Sequence, residues 1–528
     1  MYDADQQKVL LNRTKAFLQA KEKLDTDNVD ALRDVLRFHE WRYYVQDNPA
    51  IADPEYDQLF KQLQAFEEKH PDQVTPDSPT QRVASDLTKE FPEVNHLRPM
   101  LSLDNSYNEE DLRDWDRRVR SFLEQDAKVE YSVEPKFDGA SIAIVYEDDY
   151  LRRGATRGNG TTGEDVTPNV KVMNTVPLKA PFSENGIKRI EVRGEVMINK
   201  AHFKHFNEQR MAEGLSILAN PRNAASGSLR MQDAKEVAKR GLEAYLYQVG
   251  IAEDAEGNSM LDEAVTTHAE SIALLNKLGF KTPTDEIRVC TRMEEVLAYC
   301  REWEEKRDDY PYEIDGMVIK VNRFDQQEQC GYTSHHPRWA MAYKFKARQA
   351  TTTLNAIDYQ VGRTGAVTPV AKVDPVHIGG VTVSSVSLFN ADVVREKDLK
   401  IGDTVLVERA GDVIPYIVKS VAEDRTGQEE DIVFPTHCPS CESELVKPEG
   451  EAVWRCVNIN CPAQAVERII HFVSKNAMDV DGLGEKFVRR LFEEGQIATI
   501  ADLYQLDWDT LRTWDGVGEK SIQNLQQA

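Results

Sequence analysis

The stretch Ser132–Tyr146, SVEPKFDGASIAIVY, sets a lysine between a proline and a phenylalanine at the mouth of an apolar run. Ile142, Ala143, Ile144 and Val145 read as a buried strand, and Gly139 breaks the segment just ahead of it. If the residues before the glycine are extended, the two-residue repeat sets Glu134, Lys136 and Asp138 on one side. Two readings of Lys136 stand. It is a lysine neutralised by acidic neighbours at a strand end, or it is a nucleophile. The second demands that the amine shed its proton. An ordinary lysine has a pKa of about 10.4, so the neutral form at pH 7 costs roughly 4–5 kcal/mol. Carboxylates facing the amine raise that cost, and neighbouring cations lower it.

Further along the chain are lysines that could supply such company. EIDGMVIKV (313–321) places Lys320 at a strand end, and WAMAYKFK (339–346) places Lys344 in another apolar strand. Three cations converging on one cleft would depress one another's affinity for protons and attract a phosphate.

At 528 residues the chain exceeds a single core, and roughly three to five domains are expected. No tract is apolar for long enough to span a bilayer. The first residues, MYDADQQKVLLNRTKAF, lack a basic start followed by an apolar core. The expectation is therefore a cytoplasmic protein with no membrane partner. A formal charge of −25 argues against non-specific coating of nucleic acid and leaves room for local basic grooves.

The seven cysteines are unevenly placed. Cys290, Cys300 and Cys330 are scattered and read as reduced thiols. Cys438 and Cys441 form one pair, and Cys456 and Cys461 a second pair shortly after it. Four thiolates from two such turns suit tetrahedral structural Zn2+, whereas two disulfides suit an oxidising compartment. Zinc with all four positions filled holds structure and is not the catalyst.

Residues 1–91 read as helical, with VDALRDVLRFHEWRYYV at helical spacing and DPEYDQLFKQLQAFEEKH opening on an Asp-Pro start signal that makes Asp53 an N-cap. Residues 92–347 alternate short strands and helices. Residues 348–433 break into β segments punctuated by glycine, which suggests a small barrel. The cysteine module occupies 434–462, and a helical tail 463–528. Within the tail, DVDGLGEKFVRRLFEEG recurs as TWDGVGEKSIQNLQQA. A Gly-x-Gly turn opening a helix aims backbone N–H groups at a phosphate; a plain helical corner is the alternative, and the repetition favours duplex binding. The tail carries eleven Asp/Glu against seven Lys/Arg, so binding there would rest on backbone donors. RGNGTTGED (157–165) contains G-x-G-x-x-G, yet Pro168 follows closely and FSENG (182–186) is a turn, so a Rossmann site is not expected.

Lys136-Phe-Asp-Gly resembles the Lys-x-Asp-Gly signature of nucleotidyltransferases that form a lysyl–AMP intermediate. VRGE, IDGMVIK and AYKFK follow in that superfamily's order, and YYVQDNPAIADPEYD (43–57) resembles the domain that binds nicotinamide mononucleotide in bacterial NAD-dependent DNA ligases. The resemblance covers essentially the whole chain. It implies a multidomain α+β protein: a helical NMN-binding domain, a nucleotidyltransferase domain of the DNA ligase and mRNA capping type, an OB-fold barrel, a four-cysteine zinc finger and a partial helix-hairpin-helix tail.

The resemblance further implies that Lys136 attacks the α-phosphorus of NAD and that Asp138 is the signature carboxylate. Glu134, Arg157 and Glu195 would hold the nucleotide, Lys320 and Lys344 its phosphates, and Ser102 and Leu103 a further part of NAD. Tyr43, Tyr44, Asp53, Tyr56 and Asp57 would meet the nicotinamide end, the tyrosine faces suiting a cationic pyridinium. Asp315 would help bind Mg2+ or Mn2+. Arg222 and Arg230, with Arg363 and Arg409 in the barrel, would contact DNA. The resemblance also implies a monomer whose partner is nicked double-stranded DNA, sealed in three steps. Members of the family usually continue through four hairpins and a BRCT domain, whereas two hairpins are present here. A weaker clamp on duplex follows, with a fragment that self-adenylates without sealing as the alternative. An ATP-using relative would lack the front domain and the zinc module.

Overall fold

The computed structural model describes residues 1–528 apart from 20–23, 47, 83–90, 219, 262–264, 347, 379–380, 411–413 and 476, and apart from the side chains at 348, 409, 410 and 414. It divides into two compact units, Met1–Lys346 and Ala347–Ala528.

The first unit opens with three helices, Ala4–Leu18, Val29–Glu40 and Asp53–Lys69. Their apolar stripes meet through Phe17, Leu32, Val35, Leu36, Leu59 and Leu63. Val29–Glu40 runs directly into a wider π-type turn, Trp41–Val45, which leaves Tyr43 and Tyr44 exposed with ring centroids 4.7 Å apart. The expected cap at Asp53 is corrected by one residue. Ala52 holds the cap position, its N–H donates to the Glu55 carboxylate at 2.9 Å, and Asp53 lies in the first turn. Glu55 reaches back to satisfy the orphan donor, so the Asp53 carboxylate stays in solvent.

Two larger sheets frame the rest of this unit, beside a short ladder of Glu93–Asn95 with Thr162–Glu164. One runs in the order Asp104–Ser106, Ala340–Lys344, Ile314–Val321, Tyr131–Phe137, Arg288–Cys290; the other runs Tyr150–Thr156, Ala140–Glu147, Arg189–Ile198, Leu242–Glu253. The chain leaves the first sheet at Phe137 and enters the second at Ala140. A Cβ at Gly139 would stand 2.3 Å from the Val196 carbonyl, so only glycine permits the crossing. Ile142 and Ile144 are fully buried, worth about 1.5–3 kcal/mol each, and they anchor the second sheet in its own core.

In the second unit, strands Arg348–Val361, Val367–Ile378, Val381–Ser387, Thr404–Ala410 and Ile414–Ser420 form one antiparallel sheet around Leu354, Ala371, Val405, Val407 and Ile417. Its two outer strands lie against each other, which curls it into the expected barrel. A short ladder, Leu445–Val446 with Arg455–Cys456, carries the cysteine module. Helices Pro462–Val473, Glu485–Glu493, Trp508–Arg512 and Glu519–Gln527 close over Val488, Leu491, Leu511 and Ile522.

Candidate active site and zinc centre

Gly316 sits opposite Lys136 on one side and Lys344 on the other, and residues in one row across a sheet share a face. A Cβ at Gly316 would come within 2.1 Å of the Tyr343 carbonyl, so the row closes only around glycine. In a regular strand Asp315 would point to the opposite face. A register shift between Ile314 and Gly316 turns it instead toward the lysines. Its carboxylate accepts from Lys136 Nζ at 3.1 Å and from Lys344 Nζ at 2.5 Å.

Lys320 does not join that pair in the way the sequence suggested. It is nearly buried, its Nζ lies 2.5 Å from the Glu134 carboxylate, and it donates to the Tyr247 carbonyl at 3.0 Å. His268 Nε2 approaches Glu134 at 2.9 Å and Lys320 at 3.1 Å. Burial alone would push the Glu134 carboxyl up, but Lys320 and His268 together pull it below its ordinary range. Burial and then Lys320 hold His268 below the usual imidazole range, against the opposing pull of Glu134.

The Tyr247 ring joins this cluster to the neighbouring carboxylate. Lys320 Nζ lies 5.3 Å from the ring centroid, and the hydroxyl donates to Glu195 at 3.3 Å. Ser141, paired with Glu195 across the second sheet, donates to the same oxygen at 3.0 Å. Burial raises the Glu195 carboxyl to about 7, against the opposing pull of the Lys136 charge and the Ser141 hydrogen bond.

Asp138 lies just beyond its strand and meets Arg222 Nη1 at 2.8 Å. Arg222 stands in the first turn of helix Pro221–Leu229, and Arg230 just beyond it pairs with Glu164 at 2.7 Å. Glu134, Lys136 and Asp138 thus meet three different oppositely charged side chains, Lys320, Asp315 and Arg222.

Arg157 opens the glycine-rich loop. Gly158 and Gly160 take left-handed φ values of +56° and +94°, and the loop returns as the strand Thr162–Glu164. No long helix follows, as the rejection of a dinucleotide fingerprint required. Met100 N–H donates to the Gly160 carbonyl at 2.7 Å, which ties this loop to the segment bearing Ser102 and Leu103. Ser102 is exposed, its carbonyl 3.0 Å from His336 Nδ1, and Leu103 packs on the core of the first sheet. Beneath them Arg193 donates to the Pro99 carbonyl at 3.0 Å and pairs with the buried Glu191 at 2.6 Å.

On the front helices Asp53, Tyr56 and Asp57 share a face, and the Tyr56 hydroxyl donates to Glu40 at 3.0 Å. Burial and then Glu40 hold that hydroxyl protonated far above the usual phenol range. Arg363 is exposed in the turn between two barrel strands, whereas the Arg409 side chain lies outside the described residues.

In the second unit the Sγ atoms of Cys438, Cys441, Cys456 and Cys461 lie within 4.8 Å of one another. Two of the edges measure 3.5 Å and 3.9 Å. Four thiolates about 2.3 Å from a zinc ion would stand roughly 3.8 Å apart, so the donor set fits tetrahedral Zn2+ and no disulfide is formed. The two tail motifs are also alike in backbone: Gly482 and Gly516 each have φ +82°, and Gly484 and Gly518 open helices Glu485–Glu493 and Glu519–Gln527.

Sequence reasoning missed His268, Tyr247, Ser141, Glu40 and Arg82. Their partners are as much as 134 residues away, and nothing local marks a histidine or tyrosine that a distant strand will bury beside a carboxylate.

Family models agree with this geometry in order along the chain. They describe the N-terminal NAD+-binding domain of DNA ligase-like proteins (22–84), the NAD-dependent DNA ligase adenylation domain (88–348), its OB-fold domain (351–429), its C4 zinc finger domain (437–463) and a helix-hairpin-helix tandem (475–528). The chain is 61% identical to a DNA ligase of Persephonella marina, over 100% of this chain and 75% of that protein. It is 59% identical to one of Sulfurihydrogenibium azorense and 53% identical to one of Aquifex aeolicus, each over 100% of this chain, and over 76% and 73% of those proteins.

Proposed function

The chain belongs to the NAD-dependent DNA ligases, which seal nicks between a 3′-hydroxyl and a 5′-phosphate in duplex DNA during replication and repair, and we propose that Lys136 is the residue through which AMP passes. The observation that carries this assignment is the shared Asp315 carboxylate, which holds Lys136 and Lys344 on one face of a sheet with the Glu195 side chain close enough to feel the Lys136 charge.

In the first step the neutral amine of Lys136 attacks the α-phosphorus of NAD. A phosphoramidate forms, and the P–O bond to nicotinamide mononucleotide breaks. AMP then passes to the 5′-phosphate of the nick, and the 3′-hydroxyl displaces it as the phosphodiester closes. Such transfers demand positioning and charge neutralisation more than covalent help from the protein.

Lys344 neutralises the phosphate under attack, and Asp138, fixed by Arg222, orders the lysine's surroundings. Glu134 holds the adenylate from a pocket in which Lys320 and His268 fix its charge. Glu195 meets the ribose, while Arg157, Ser102 and Leu103 line the nucleotide. Tyr43 and Tyr44 present faces to the nicotinamide ring, with Asp53, Tyr56 and Asp57 beside them.

Asp315 would offer its carboxylate to Mg2+ or Mn2+, a cation that one or two protein oxygens can hold and that would help neutralise the phosphates. The cysteine cluster holds Zn2+ as a structural element. The domains divide at 91/92, 347/348, 433/434 and 462/463, and the enzyme works as a cytoplasmic monomer. Among the described residues no helix is long and apolar enough to cross a membrane.

Intact protein mixed with NAD and Mg2+ gains the mass of one AMP, and Lys136→Ala does not. Labelling from ATP in place of NAD would overturn the cofactor assignment, and AMP found on another residue would overturn that of Lys136.

A further inference from the structure

We infer that Arg82 is a positioning residue for the NAD-consuming step, fixing the tyrosine-bearing face of the front helices against the sheet domain. The inference rests on the reading that this face takes the nicotinamide end of NAD. Arg82 ends the short helix Pro79–Arg82 and is 8% exposed. Its Nε and Nη2 donate to the Glu40 carboxylate at 3.2 Å and 3.0 Å. Its Nη1 turns the other way, toward the carbonyls of Lys171 at 3.0 Å, Met173 at 3.3 Å and Val176 at 3.0 Å. These carbonyls belong to the sheet domain, where Thr167–Lys171 ends and the next turns begin.

Glu40 is the last residue of its helix, immediately before the π-type turn that presents Tyr43 and Tyr44. The same carboxylate accepts from Tyr56. One continuous line therefore runs from three backbone carbonyls through Arg82 and Glu40 to the aromatic face. A guanidinium can serve a carboxylate on one edge and carbonyls on the other, whereas an ammonium offers a single point of attachment. The front helices have an apolar core of their own, in which Phe17, Leu32, Leu36, Leu59 and Leu63 are buried. Arg82 and Glu40 are buried as well, and through Arg82 Nη1 they link these helices to the carbonyls of the sheet domain, so the contact bears on where the face stands.

Only the first step uses the nicotinamide end. The full chain is compared in two assays: self-adenylation from NAD, and sealing, without NAD, of a nick that already carries the 5′-adenylate. Arg82→Lys raises the KM for NAD about tenfold, a typical coupling between two linked sites, and leaves sealing of the adenylated nick within about twofold.

Because Arg82→Lys could disturb the buried charge pair, Arg82→Met/Glu40→Gln serves as a second variant, removing both charges while leaving Tyr56 an acceptor. It too raises the KM for NAD and spares the adenylated nick. Unchanged KM in both variants, or equal losses in the two assays, overturns the inference. Asp57→Ala separates the two levels. If it raises the KM while the Arg82 variants do not, only Arg82 is misassigned; if it has no effect, the front-face reading fails and the inference falls with it.

Discussion

Lys136 donates to Asp315 across 3.1 Å, although the two residues stand 179 positions apart and a regular strand would have turned the carboxylate away. The bulge beside Gly316 is what brings them together. The same carboxylate receives Lys344, so two ammonium groups share one counter-charge.

Asp315→Asn tests that arrangement. The amide keeps the shape but loses the charge that orders both lysines and the charge assigned to the metal. The rate of AMP incorporation from NAD falls about 10²-fold, the usual scale for removing one preorganised electrostatic contact. Quenched-flow labelling of Lys136 measures it, and an unaltered rate would show that the carboxylate is a bystander.

Glu195 gives the fold a pH dependence. Burial raises its carboxyl from an ordinary 4.5 to about 7. Between those values the folded protein holds a proton that the unfolded chain has released. This contribution to stability is complete below about 4.5 and is lost as pH rises through about 7. Glu195→Gln is neutral throughout, so it melts like the parent at pH 5 and gains up to about 3 kcal/mol over it by pH 8. Urea unfolding at the two pH values reads the difference. A gain of equal size at both would point to a packing effect instead.

Much of this site was legible in the chain before any coordinates. Lys136, Glu134, Glu195 and Lys344 fall on strands as the apolar runs around them suggested, and the four cysteines converge as their spacing required. The hidden part came from long-range register. Strand alternation places a residue on a face, but it cannot say which strand lies alongside, so Lys320 could not be assigned to Glu134 ahead of the phosphates. The bulge at Asp315 defeats alternation altogether. His268 and Arg82 act through residues 134 and 42 positions away, and their local sequence says only that one begins a helix and the other follows a proline-rich turn.

Zinc should separate the steps of the reaction. Its four ligands lie in the second unit, while Lys136, Asp315 and Glu195 belong to the first. A structural zinc site contributes directly to folding of its module. Cys441→Ser therefore loses the ion, as metal analysis reports, and loses joining of nicked duplex. Formation of lysyl–AMP from NAD continues at close to the parental rate. Equal loss of both activities would tie the module to the first step.

The hairpin glycines test how a tail with more acidic than basic residues can hold DNA. At Gly482 and Gly516 the backbone has φ +82°, where a side chain costs about 1–2 kcal/mol, and a Cβ on Gly482 would also press Leu525 at 3.0 Å. Gly482→Ala/Gly516→Ala should tilt the N–H groups that open helices Glu485–Glu493 and Glu519–Gln527 away from the phosphates, without removing any charge. Affinity for a nicked duplex then drops about tenfold or more, self-adenylation stays constant, and the slope of log affinity against log salt is preserved, because that slope counts cationic contacts to phosphate. A variant that binds as tightly as the parent would assign the grip to basic side chains of helix Glu485–Glu493, such as Arg489, which pairs with Glu467 and Glu485, and Arg490, which donates to the Asp515 carbonyl; one that binds weakly with a shallower slope would mean that the turns act by placing those arginines.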